Sequence, residues 1–351
     1  MDELVNAIET TPIIDHHAHN LLIPAEIDAH DLLSITSEAH GPALKQGAPS
    51  TLAHLRAVHQ LSKILGCDAS WAAVRLAIEQ RRQEPDEAWA RRCFHGIETA
   101  LIDDGLDPTN VHPYSWHDCL TRSKCKRIMR IERVAETIMI NAFEEFSKTS
   151  FDQHSAFAHH VIRRFVTAIQ QAIDDPDVAG FKSVICYRTG LAIPKFNELD
   201  RTVLGTMFES KDMKKLSRLE DERLSPHLVH MTAKLIERSK SKKPIQFHTG
   251  LGDNDIDLNL SNPSYLQDFI KSYPEVQIIL LHASYPFTTE AGYLASVYGN
   301  VWLDIGEVFP FVSQDGQERV IREALDLCPS EKLMWSTGNR PFHCSRDGLS
   351  G

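Results

Sequence analysis

The chain has 351 residues, 42% of them hydrophobic and 24% charged, enough apolar material for a sizeable core in one large domain or two small ones. Its formal net charge of −11 argues against nucleic acid or an anionic membrane surface as the main partner, and no apolar run approaches the ~20 residues of a membrane span. Seven cysteines without CxxC spacing read as free thiols in a reducing, cytoplasmic setting, and the acidic start MDELVNAIET lacks the basic and apolar regions of a signal peptide.

The first predicted strand is PIIDHHAH, residues 12–19. Pro12, Ile13 and Ile14 read as core, and Asp15, His16, His17 and His19 read as chemistry. Side chains alternate along a strand, so Asp15, His17 and His19 share one face and His16 points the other way. Two imidazoles two residues apart can reach one metal ion; a strand end that caps loops through hydrogen bonds is the alternative. Residues 24–95 then break the rhythm. TLAHLRAVHQLSKILG and SWAAVRLAIEQRRQEPDEAWARRC read as helices with no strand between them. They form a helical insertion after strand 1, expected to cover part of the active-site mouth as a lid. Further strands are predicted at 99–106, 126–134, 180–188, 244–250, 276–284, 301–307 and 332–337. Helical periodicity fills 134–148, 154–174, 225–240, 264–272, 287–298 and 315–327. This alternation implies parallel strands with crossover helices. Eight strands suggest an α/β protein built as a (β/α)8 TIM-type barrel, with an open doubly wound sheet as the alternative. No glycine-rich phosphate loop follows strand 1, so a dinucleotide site has little support.

In such a barrel the C-terminal strand ends face the catalytic mouth. Strand 1 ends with His17 and His19, strand 5 (PIQFHTG) with His248, and strand 6 (ILLHASYP) with His282. Four histidines from three strands would converge there. Three protein ligands and an open water position are the pattern of a catalytic zinc site. Arg188, at the end of predicted strand 4, suits a substrate carboxylate through bidentate hydrogen bonds, or else a salt bridge to a loop acid. Glu132 and Asp304 are weaker candidates, of the kind that tie loops or orient histidines. Trp116 and Tyr187 read as core or as pocket wall.

The motifs IDHHAH, FHTG and LLHASYP resemble those of the amidohydrolase superfamily. So do the longer segments GIETALIDDGL, FKSVICYRTGL and NVWLDIGEVFPFVSQDG. The resemblance is closest to the N-terminal amidohydrolase domain of fungal FluG-like proteins and runs from about residue 3 to about residue 337. It implies a metal-dependent hydrolase of C–N, amide-type bonds in a small carboxylate-bearing molecule, with glutamyl-type amides suggested by analogy. His17, His19 and His248 match ligands of one divalent ion, expected to be Zn2+, and His282 matches the histidine that orients the attacking water. Two-metal relatives carry a carboxylated lysine on strand 4. Lys182 is the only candidate, but the predicted strand puts it about six residues, or ~20 Å, from the mouth. A single ion is therefore expected, with Lys182 as an ion-pair partner near the barrel floor. The resemblance leaves a homo-oligomer open. The glutamine-synthetase-like domain of those relatives does not occur in this sequence. A decarboxylase of the same superfamily, and a non-catalytic binding or signalling protein of developmental control, are the alternative functions.

The segment KLMWSTGNRPFHCSRDGLSG, residues 332–351, departs from that pattern. Strand 8 reads normally through Thr337. Relatives then place an aspartate, Gly-His-Trp and an eighth helix. Here Gly338 stands in the aspartate's place, and residues 338–351 are too few and too polar for a covering helix. The expectation is a barrel over residues 1–337 with a non-family tail, bare apolar surface beside strands 8 and 1, and weak or absent activity for want of the carboxylate. Asp347 and His343 are chance substitutes at best.

Overall fold

In the computed structural model, the described residues are 2–105, 109–147, 153–196, 202–210 and 212–338. The tail with His343 and Asp347 lies outside them. Eight strands run β1 (Ile13–His19), β2 (Ile97–Asp103), β3 (Lys126–Arg130), β4 (Val178–Ser183), β5 (Ile245–Phe247), β6 (Ile278–Leu280), β7 (Val301–Asp304) and β8 (Leu333–Met334). They are hydrogen-bonded in sequence order, every pair parallel, as a right-handed succession of βα units requires. Helices Ile131–Phe146, Gln153–Asp174, Leu224–Arg238, Gln267–Ser272, Thr288–Val297 and Gln314–Leu327 lie between strands. The architecture is the expected (β/α)8 barrel.

The predicted strands 2 to 8 all ran past the observed ends, and two of these stops have clear causes. β3 ends at Arg130, because the helix starting at Ile131 follows at once and holds Glu132 in its first turn. β4 ends at Ser183, and the chain curls into a 3-10 turn at Ile185–Tyr187. Glu132 explains the stop: its carboxylate accepts from Ser183 Oγ at 2.6 Å and from the Val184 amide at 3.1 Å, engaging an amide that ladder extension would need. The main core lies between the sheet's outer face and the helices. Phe157, Phe165, Phe181, Phe247 and Phe269 are buried there, each contributing roughly 1.5–3 kcal/mol by leaving water.

The insertion is helical at Leu52–Leu65, Trp71–Arg82 and Ala88–Cys93. Thr51 caps the first helix by accepting from the His54 amide, and Gly66, at φ +68°, ends it in the left-handed conformation that glycine tolerates. Its own cluster includes Leu61, Val74, Ile78 and Trp89. It packs on the mouth side: Arg56 donates to the carbonyls of Phe309, Pro310 and Val312, after β7. His40 lies 3.9 Å from Asp253, after β5.

Among the described residues, β8 pairs only with β7. Its seam with β1 is closed by other bonds. The Thr337 amide donates to Asp15 Oδ1 at 3.1 Å and Thr337 Oγ1 to Oδ2 at 2.5 Å, while the Gly338 amide donates to the His17 carbonyl at 3.1 Å. Burial pushes the Asp15 carboxyl up to about 6 against these bonds. Outside the seam, Ile13, Ile14 and Trp335 are 40%, 56% and 38% exposed. Ile13 and Ile14, expected as core, therefore face outward, with no described helix following β8 to cover them. No helix among the described residues is long and apolar enough to cross a membrane.

Candidate metal centre

The register of β1 against β2 slips between Asp15 (opposite Ala100) and Ala18 (opposite Ile102). This extra residue breaks the strict alternation. His16, expected to point away from the site, is buried, with Nε2 3.0 Å from Asp304 Oδ1 on β7. Gln246 on β5 fixes both neighbours. Its side-chain amide donates to the His16 carbonyl at 2.7 Å, so its oxygen accepts from His17 Nδ1 at 3.0 Å. The lone pair of His17 is thereby placed on Nε2.

One strand over, Asp103 stands opposite His19. The ligand atoms of His17, His19 and Asp103 all lie within 4.8 Å of one another. Arg130, at the end of β3, holds Asp103 through two bonds of 2.8 and 3.3 Å. Lys182 Nζ sits 4.0 Å from the same carboxylate and 3.2 Å from His17 Nε2. Burial alone would raise the Asp103 carboxyl, but Arg130 and its other cationic neighbours hold it down at about 2. Burial drives His17 well below the ordinary histidine range and His19 to about 4. Two neutral imidazoles and an ionised carboxylate are the protonation states a divalent ion requires. The Lys182 amine lies among these atoms, and burial pushes it down to about 8. The donor set fits a metal ion.

His248, expected as the third ligand, sits one ring further on. Its Nδ1 is 3.1 Å from His282 Nε2, and its Nε2 donates to the Leu251 carbonyl at 2.8 Å. The His282 ring centroid is 5.4 Å from that of His17. The histidines thus form one continuous cluster, with His17 and His19 beside Asp103, and His248 beside His282. The placement of Lys182 near the floor was wrong. β4 ends one residue after it, so Lys182 is a mouth residue touching His17, and the distance argument for a single ion falls.

The Arg188 side chain is buried, 3.8 Å from Glu136, next to Tyr187, whose ring lies 4.5 Å from that of His248. Asp304 orients the cluster, accepting from the His282 amide at 3.1 Å and Ser336 Oγ at 3.0 Å. Trp116 stacks on His112 at 3.9 Å. Sequence reasoning missed Asp103, Gln246 and Glu307. The first had a signal, the paired acids of IDDG at a strand end; a lone glutamine or glutamate in a strand or turn had none.

Residues 218–341 match the amidohydrolase family model Amidohydro_2, over β5 to β8. The chain is 43% identical over 357 aligned residues to the protein FluG of Emericella nidulans. That alignment covers 97% of this chain but 41% of FluG, so the chain spans less than half the length of this relative. A candidate metal-dependent hydrolase from Lactobacillus casei, with a crystal structure, superposes at a TM-score of 0.74 and 27% identity, covering 95% of this chain and 84% of that one.

Proposed function

We propose that this chain, a member of the amidohydrolase superfamily with similarity to FluG, hydrolyses an amide-type C–N bond in a small carboxylate-bearing molecule with the help of a divalent ion. The observation that carries the reading is the approach of His17, His19 and Asp103 within 4.8 Å from two neighbouring strand ends, beside His248 and His282. His17, His19 and Asp103 would hold the ion, with His248 adjacent; zinc suits this nitrogen and oxygen set. Such an ion supplies hydroxide near neutral pH and polarises the scissile carbonyl.

The chain's own groups have distinct tasks. Gln246 keeps the His17 lone pair on Nε2, and Arg130 keeps Asp103 ionised. His282 orients the attacking water and moves its proton. Arg188, one residue from the ring that meets His248, offers its guanidinium to the substrate carboxylate. The insertion on the mouth side excludes water.

The test is metal analysis of the purified chain, then turnover of γ-glutamyl-p-nitroanilide and a panel of small amides and carboxylates before and after chelation. One ion per chain and chelator-sensitive amine release are expected. Release of CO2 in place of amine would mark the decarboxylase reading, and a chain that takes up no metal would end both. Two ions would point to Lys182 as a carboxylated bridge.

A further inference from the structure

Glu307 follows β7 and adopts φ +57°, ψ −39°, a left-handed-side conformation that a non-glycine residue enters only against strain. The strain is not isolated. His282, Ala283 and Ser284, just after β6, have φ of +66°, +52° and +48°. The two strained segments meet: Glu307 Oε2 lies 2.5 Å from His282 Nδ1, with both side chains buried. Across from them is Gly338, at φ +64°. A Cβ there would fall 2.4 Å from the Glu307 Cβ and 2.9 Å from its Cα. A side chain at 338 and Glu307 in its present place are therefore mutually exclusive. Position 338 is where the sequence left a carboxylate wanting.

The geometry points to Glu307 as the positioning residue of His282, supplying from the turn after β7 the carboxylate that β8 does not provide. Its oxygen lies against the Nδ1 side of His282 as a close charge contact. The Nε2 side stands 3.1 Å from His248 Nδ1, so with Glu307 against Nδ1 the ring keeps Nε2 turned toward the cluster. The inference rests on the hydrolase reading for its kinetic consequence but not for its geometry. As water attacks, the C–O bond forms and the C–N bond breaks. The proton leaving the water passes to His282 Nε2, which exchanges its contact with His248 for the water, and on to the departing nitrogen, while the adjacent Glu307 carboxylate steadies the imidazolium that exists in between.

The experiment uses the full zinc-loaded chain, labelled with 15N, and the variants Glu307→Gln, Glu307→Asp and Gly338→Ala. His282 ring signals are assigned with a His282→Gln control. Glu307→Gln is expected to move the His282 ring signals and lower kcat on γ-glutamyl-p-nitroanilide ~10²-fold. KM should change by no more than about threefold, with zinc content retained. Glu307→Asp should recover part of the loss. Gly338→Ala, at a residue whose amide donates to the His17 carbonyl, should shift the same His282 signals by displacing Glu307. Unchanged His282 signals in Glu307→Gln would overturn the proposal, whether or not the probe turns over. A parallel fall of kcat and zinc content, unrelieved by aspartate, would overturn it in favour of a purely structural role. Failure of the unaltered chain to cleave any amide would instead sink the hydrolase reading and leave the ring signals to decide this one.

Discussion

Replacing Asp103 by asparagine perturbs the centre of the buried charge cluster while keeping side-chain size. The carboxylate now balances Arg130 at 2.8 and 3.3 Å and Lys182 at 4.0 Å, and all three side chains are at most 5% exposed. Its loss strands two cations in a low-dielectric interior. Breaking a buried pair from one side costs about 3–5 kcal/mol, a large share of the ~5–15 kcal/mol by which a domain is stable. Equilibrium urea unfolding of the metal-free chain reads this directly. The Asp103→Asn variant should lose about 3–5 kcal/mol, and the double variant with Arg130→Met should regain ~1–3 kcal/mol of it, since one uncompensated cation is gone. A loss below about 1 kcal/mol, the range of exposed pairs, or the absence of any recovery, would refute the view that Asp103 neutralises this cluster.

Phe181→Ala, in the core behind β4, should cost ~3–5 kcal/mol by urea unfolding through lost burial and a residual cavity; a cost near that of a surface change would place Phe181 outside the packed core. Thr337→Val removes a donor from the buried Asp15 and should cost about 1–3 kcal/mol, so an unchanged midpoint would mean the seam is not held by this bond. Burial pushes the Cys93 thiol up to about 11, and Cys119 is exposed. Peptide mapping after brief alkylation at pH 8 should find Cys119 labelled well before Cys93, and equal labelling would contradict the packing of Cys93 against the cluster of Ala90, Ile97 and Ala100.

The barrel was legible because strand and helix periods alternate cleanly, and His17 and His19 were legible because two histidines at the end of an apolar strand are hard to explain otherwise. Strand ends were not. The predicted strand 4 ran to Arg188, yet Glu132 takes the amide of Val184 and stops the strand at Ser183. That shift of five residues carried Lys182 from the imagined floor to the side of His17. The bulge in β1 likewise turned His16 inward, which alternation alone could not foresee. The paired acids of IDDG marked Asp103 as a candidate that only the register, setting it opposite His19, singled out, and Glu307 became recognisable only once the backbone showed what fills the space beside Gly338. Ile13 and Ile14 read as core because their type is apolar; their exposure depends on what packs outside the seam, which a local pattern does not encode.

The central claim is that His17, His19 and Asp103 form one metal centre. Anomalous diffraction at the zinc edge, on crystals grown with Zn2+, tests it most directly. The expected result is a peak about 2.0–2.2 Å from nitrogens of His17 and His19 and an oxygen of Asp103. A map with no peak there, or with zinc bound only at His248 and His282, would contradict the account.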